Sequence, residues 1–316
     1  MYWCWNNRDY IHYIINKTNK HNIDNISRTI AYQQFYLKYP EIKWALLASV
    51  VSRNAGWNMT DLHLPAYKNM LGEAERKQLF MTYERANWLI FSDAYPQLLV
   101  YELSTKNGKP LYHLLQDFHV SSFMIREWEN FHQFKDTLRL MIALIINEQN
   151  LIQRPVISQP FFKREVFLSI PYILQNTLML NAVILPTKEN GLYGAFVHGF
   201  TTVANRIDLG KSLASQLFHP EIYNHIMNFL LGVEHTGSRY DYERYYSINF
   251  PKNPLLRTVY PIIEHQDNIR SDWYELGGIK QKWMRMEEVK PNPIGNHFYQ
   301  KRKWLMTYHQ IKKLFT

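Results

Sequence analysis

The sequence predicts a mostly α-helical fold, an irregular multi-helix bundle with a short strand pair in its second half. Apolar residues recur at helical spacing through the first half, and polar cap residues punctuate them. Gly and Pro are few, 12 and 14 in 316 residues, which disfavours a sandwich or barrel with many tight turns. A hydrophobic content of 46%, including 15% aromatic, is ample for a sizeable core.

The elements follow in chain order. Ser27 is read as the N-cap of a helix over 28–39, and Pro40 separates it from the next. That second helix is expected to run to about Ala55, with Gly56 as its left-handed C-terminal cap. A longer helix spans Glu73 to about Phe91, and Pro96 begins a short one that ends before Asn107-Gly108. Ser121 or Ser122 caps the stretch from Met124 to Phe131, and Asp136 caps Thr137 to Ile152. Val166 to Leu185 is the longest apolar region. Pro171, Gln175, Asn176 and Asn181 interrupt it, so it reads as a buried core segment and not a bilayer span. Residues 191–203 carry three glycines and β-branched residues, the signal for the strand pair. Asp208 is read as a cap for 209–218, Pro220 opens a helix through Leu231, and 232–293 is irregular. A basic amphipathic helix over 298–316 closes the chain. With no repeat or low-complexity tract, 1–316 reads as a single helical unit; a soft boundary near 153–160 is the alternative.

Cys4 is the only cysteine, and the first residues lack the basic-then-apolar pattern of a secretory leader, so a cytoplasmic location is expected. Net charge is +9. Residues 280–316 hold nine Lys or Arg against Glu287 and Glu288, so the cationic field centres on the C-terminus. In the last helix Trp304, Tyr308, Ile311 and Phe315 form an apolar stripe, with Arg302, His309 and Lys313 on another face. Docked by that stripe, the helix leaves a cationic outer face. Such a face suits sequence-tolerant contact with nucleic acid or an anionic lipid surface.

Three helices place polar groups where the pattern asks for apolar ones. Arg53 and Asn54 lie in a helix apolar nearly all round. Glu84 has Phe80, Trp88 and Phe91 on its face, with Asn87 beside it. Glu148 falls on the apolar stripe of Met141 and Leu144. Two arrangements satisfy this. One is a structural network in which Arg53 pairs with Glu84 or Glu148. The other is a pocket whose two carboxylates, in unlike environments, perform acid–base hydrolysis or transfer on an anionic or polar substrate. In that pocket Glu84, Glu148 and His235 are the catalytic candidates, and Arg53, Asn54, Asn87, Arg239 and Asp241 the substrate-binding ones. His235 and Arg239 come from the run Glu234-His-Thr-Gly-Ser-Arg-Tyr-Asp241. There the alternative is an Asp–Arg staple that orders the loop.

No metal or cofactor is predicted. Glu221 and His225 stand one turn apart without a third spaced ligand, and Gly210-Lys-Ser212 lacks the earlier glycine of a phosphate loop, since position 205 is Asn205. Non-enzymatic binding through the basic helix, or a purely structural role, are the other functional classes. Oligomeric state is not written in the pattern.

The tracts Asn25-Ile-Ser-Arg-Thr-Ile-Ala-Tyr32, Val51-Ser-Arg-Asn-Ala-Gly-Trp-Asn-Met-Thr-Asp-Leu62 and Glu84-Arg-Ala-Asn-Trp-Leu-Ile-Phe-Ser-Asp-Ala-Tyr-Pro-Gln-Leu98 resemble the uncharacterised YppC-like domain-of-unknown-function family of Bacillus-type bacteria. Ile145-Ile-Asn-Glu-Gln-Asn150 and His235-Thr-Gly-Ser-Arg239 extend the likeness along nearly the whole chain. The resemblance implies a bacterial cytosolic protein of one family-length unit, and it assigns no catalytic residue.

Overall fold

The computed structural model describes residues 5–159, 182–189, 191–246, 250–266, 269–274 and 278–314, with side chains in the last helix described for 295–304, 306 and 307. Cys4 and most of the apolar run from Val166 lie outside the described residues. The described residues are mostly helical, with a short antiparallel strand pair in the second half, as composition and periodicity predict.

The first three helices are α1 (Asn7–His21), α2 (Asn25–Lys38) and α3 (Lys43–Asp61). The cap of α2 is Asp24, whose side chain accepts from Ser27 N, and not Ser27 itself. The carboxylate gains from the positive end of the helix, which a hydroxyl one turn later cannot. α3 runs through Gly56 instead of ending there. The glycine answers a need for close approach: a Cβ at this position would sit 2.5 Å from Asn25 Oδ1 and 3.1 Å from the His235 ring. Apart from Lys43, Val51 and Asn58, every residue of α3 is buried. α4 (Pro65–Met70) follows.

α5 (Glu73–Asn107) is a single 35-residue helix with Pro96 inside it, where a break was expected. Residues 93–104 are all buried, and packing of that whole face outweighs the hydrogen bond that proline removes. Gly108, at φ 65°, supplies the left-handed cap. α6 (Ser122–Phe134) and α7 (Thr137–Leu151) start at Ser121 and Asp136, whose side chains accept from Met124 N and Arg139 N as the pattern predicts.

β1 (Ala182–Pro186) pairs antiparallel with β2 (Leu192–Phe196), Ile184 facing Gly194. Gly194 has φ 132°, a conformation that favours glycine. α8 (Val203–Leu217) begins one turn before Asp208, which lies inside the helix; the predicted cap is displaced because Ile207 is needed in the core. α9 (Pro220–Gly232) has proline in its first turn, as expected. Among its described residues the irregular region holds the short α-helices α10 (Tyr240–Glu243) and α11 (Leu256–Val259) and a 3-10 turn at Gln281–Met284, and α12 (Gly295–Leu314) follows. α3 is central, touching α2, α5, α7, α8, α11 and β1. The main apolar core draws on residues from Tyr10 to Phe298. Among the described residues, no helix is long and apolar enough to cross a membrane.

α12 docks with the opposite face from the predicted one. Phe298 and Arg302 are buried and Met306 packs against the body, whereas Trp304 is 75% exposed. Its predicted stripe partners Tyr308, Ile311 and Phe315 lie outside the described side chains, as do His309 and Lys313. Arg302 turns inward because Asp61, buried at the end of α3, attracts it: Arg302 Nη1 lies 3.1 Å from both carboxylate oxygens. Arg302 joins Arg239 on this carboxylate, and breaking one arm of such a buried cluster costs several kcal/mol, roughly, more than turning one indole into solvent.

Candidate functional site

Four helices, β1 and the segment after β2 line a cleft of about 180 Å³. α5 contributes Leu79, Ala86 and Ile90; α7 and the turn after it contribute Glu148, Ile152 and Val156; Val183, Val197 and Phe200 close the far wall. Tyr32 of α2 and Ala48 and Asn58 of α3 complete the lining, which is mostly apolar.

Glu148 is its distinctive group. Trp44 Nε1 donates to Oε2 at 3.1 Å, and Gln149 Nε2 donates to Oε1 at 2.8 Å. Burial pushes the carboxyl up to about 7, and the two donors with the more distant charge of Arg206 only partly oppose this. Arg206 also fixes Gln149, donating to its Oε1 at 2.9 Å and to its carbonyl at 2.9 Å. Beside this group stands Tyr32, 3% exposed, whose hydroxyl has no hydrogen-bond partner among the described residues. Its ring meets that of Trp44 edge-on at 5.4 Å. Burial, and next the charge of Glu148, raise the phenol well above its ordinary range.

Of the sequence candidates, Asn54 and Asn87 reach the same cleft. Asn54 spends its amide on β1, with Nδ2 donating to Ile184 O at 2.9 Å and Oδ1 accepting from Ile184 N at 2.7 Å. It thus acts as one more strand residue along an edge that would otherwise lack partners. Asn87 Nδ2 donates back to Tyr83 O at 2.8 Å.

Glu84 lies on a neighbouring cavity with Phe80 and Tyr260. Arg28 Nη2 donates to it at 2.5 Å. Burial raises this carboxyl, but the Arg28 charge, the His265 ring 3.5 Å away and the Arg28 hydrogen bond outweigh it, and the net direction is downward. The two carboxyls therefore occupy unlike environments, as the sequence suggests, yet in separate cavities. The expected partner Arg53 pairs with neither. Its Nη2 donates to Val233 O at 3.1 Å and Gln33 Oε1 at 3.3 Å, and its plane lies over Phe229. The cation thus sits at the carbonyl end of α9, where the helix dipole favours it. Burial brings Arg53 down to about 10, with Asp241 opposing.

His235 is buried and lines neither cavity. Its Nε2 is 2.9 Å from Asn25 Oδ1 and its Nδ1 3.5 Å from Asp241 Oδ2. Burial lowers it to about 4 against the pull of Asp241, so the ring is neutral at pH 7. The expected Asp–Arg staple is replaced by two separate arrangements. Asp241 accepts from Trp57 Nε1 at 3.2 Å and from Thr236 Oγ1 at 2.5 Å. Arg239 donates from Nε to Asp61 Oδ2 at 2.7 Å and from Nη2 to Asn58 Oδ1 at 2.7 Å. Asn58 links that charge cluster to the cleft. Among the described residues, no group of three His, Cys, Asp or Glu side chains gathers as a metal site would require.

Sequence reasoning missed Tyr32, Trp44 and Arg28. Arg28 was detectable, since Tyr32 and Phe35 follow it at helical spacing and place it on an apolar stripe. Nothing local marks Tyr32 or Trp44, because aromatic residues on such stripes are ordinary core.

Fold and site together define a mostly helical protein with a near-neutral glutamate at an apolar cleft. The chain belongs to the family described as "Protein of unknown function (DUF2515)", whose model matches residues 20–305. It is 51% identical over 274 residues to the "Uncharacterized protein YppC" of Bacillus subtilis (strain 168), covering 86% of this chain and 85% of the relative. No solved structure matches the chain.

Proposed function

We propose that the protein is a glutamate-dependent acid–base enzyme of the hydrolase or transferase kind, with Glu148 as the group that takes and returns a proton. The observation that carries this reading is a carboxyl in the cleft wall, held near neutrality by burial and contacted by an indole and an amide instead of a cation. A general base works best when its pKa lies near the working pH. In a hydrolysis, ionised Glu148 removes a proton from the attacking water and then returns it to the leaving oxygen. Gln149, clamped by Arg206, keeps the carboxyl in place. Asn87 is the orienting amide, Asn54 and Arg53 hold the scaffold, and Glu84 neutralises Arg28. His235, Arg239 and Asp241 support the far end of α3. The basic helix is a weaker candidate. Lys303 and Trp304 stay exposed while Arg302 is buried, and nothing in this arrangement selects nucleic acid over lipid.

Hydrolysis of the ester probe p-nitrophenyl octanoate tests the reading. The wild-type rate should rise with an apparent pKa near 7 and fall at least ~100-fold in Glu148→Gln. Equal rates for the two proteins, or a wild-type rate no faster than buffer, would contradict it.

A further inference from the structure

Tyr32 and Glu148 line a mostly apolar cleft that also carries the amides of Asn54, Asn58 and Asn87. The buried Tyr32 hydroxyl has no hydrogen-bond partner among the described residues, and Glu148, on the same cleft, is near enough for its charge to act on that phenol. A buried hydroxyl left without a partner is costly, and a ligand atom that accepts from it removes that cost. Arg28 is the one cation among the described lining residues; its Nη1 and Nη2 serve Asn22 and Glu84, its Nε has no partner among the described residues, and its charge is already balanced by Glu84. A fixed anion would therefore enter without a free counter-charge. A fixed cation would have to displace the indole and amide donors from Glu148 and sit near Arg28.

We infer that the cleft binds a single-headed, uncharged amphiphile, whose hydroxyl-like head accepts from Tyr32 and exchanges hydrogen bonds with Glu148 while its alkyl body lies along Ala86, Ile90, Ile152 and Val156. This names the substrate class of the acid–base reading above and rests on it. The polar end of such a ligand reaches the one carboxyl suited to proton exchange, and its apolar body accounts for the aliphatic wall.

Displacement of the neutral fluorophore N-phenyl-1-naphthylamine from the full chain at pH 7 tests the inference, with 1-octanol, octyl phosphate and octyltrimethylammonium as competitors. Octanol should displace the fluorophore, with both charged analogues at least about tenfold weaker, the scale of one unsatisfied polar contact. Tyr32→Phe removes only an oxygen that has no partner among the described residues, so it should fold normally. It should lower octanol affinity about tenfold while leaving fluorophore affinity unchanged. Equal or tighter binding of either charged analogue, absence of octanol binding, or an unchanged octanol affinity in Tyr32→Phe would each overturn the inference. If octanol fails while Glu148 still titrates near neutrality, this ligand class falls and the proton-exchange reading stands. If Glu148 titrates as an ordinary carboxylate, the reading itself falls.

Discussion

Asp61→Asn should destabilise the fold by about 3–5 kcal/mol in denaturant unfolding at neutral pH, the scale for removing one member of a buried ionic network. Asp61 is 3% exposed and accepts from Arg239 Nε at 2.7 Å, Asn253 Nδ2 at 2.7 Å and Arg302 Nη1 at 3.1 Å. Asparagine keeps the shape but leaves two buried guanidinium groups facing only Glu243, which is 3.9 Å from Arg302 Nη2. Burial raises Asp61, but Arg239 and then Arg302 outweigh it, and its folded pKa lies below the ordinary value. Its contribution is therefore complete above the ordinary carboxylate range and is lost only as pH falls through the depressed folded pKa. Because Arg302 belongs to α12, the variant should also expose residues 295–314 to faster amide exchange. A loss under about 1 kcal/mol, the surface-pair range, would show that the cluster is not held by its charges.

Arg28→Met should cost about as much, 3–5 kcal/mol near pH 8, for the converse reason. It leaves Glu84, 4% exposed, as a buried carboxylate whose remaining basic neighbour is the imidazole of His265 at 3.5 Å. Burial then dominates and raises the Glu84 pKa above its unfolded value, so the deficit should shrink as pH falls and Glu84 takes up a proton. Adding Glu84→Gln should restore most of the loss, a non-additivity that a double-mutant cycle measures. Strictly additive losses would indicate that the 2.5 Å contact contributes no coupling.

The helical class, the strand pair and several caps could be read from local pattern, because periodicity, Ser121 and Asp136 act within one turn. The boundaries that failed depend on distant partners. Gly56 looks like a cap until Asn25 and His235 are packed against it, and Pro96 looks like a break until the buried face on both sides is seen. The polar residues on apolar faces were visible as anomalies, and Arg53, Asn54, Glu84 and Glu148 are all held by the interior in some way. Which residue meets which was not visible. Arg28 takes the place expected of Arg53, and Arg239 reaches Asp61, 178 positions away, instead of Asp241. Pairing across such distances is set by tertiary geometry that spacing within one helix does not encode.

Glu148 should behave as a near-neutral carboxyl, and titrating it directly is the most searching test. Its folded pKa of about 7 exceeds the ordinary value of 4.5, so in that interval the folded protein holds a proton that the unfolded chain has released. Stability from this group is therefore full below the ordinary value and is lost as pH rises through 7, by roughly 3 kcal/mol in total. Carboxyl-carbon NMR of the protein labelled at glutamate, assigned by comparison with Glu148→Gln, should place the midpoint near 7. A midpoint at or below 4.5 would contradict the account.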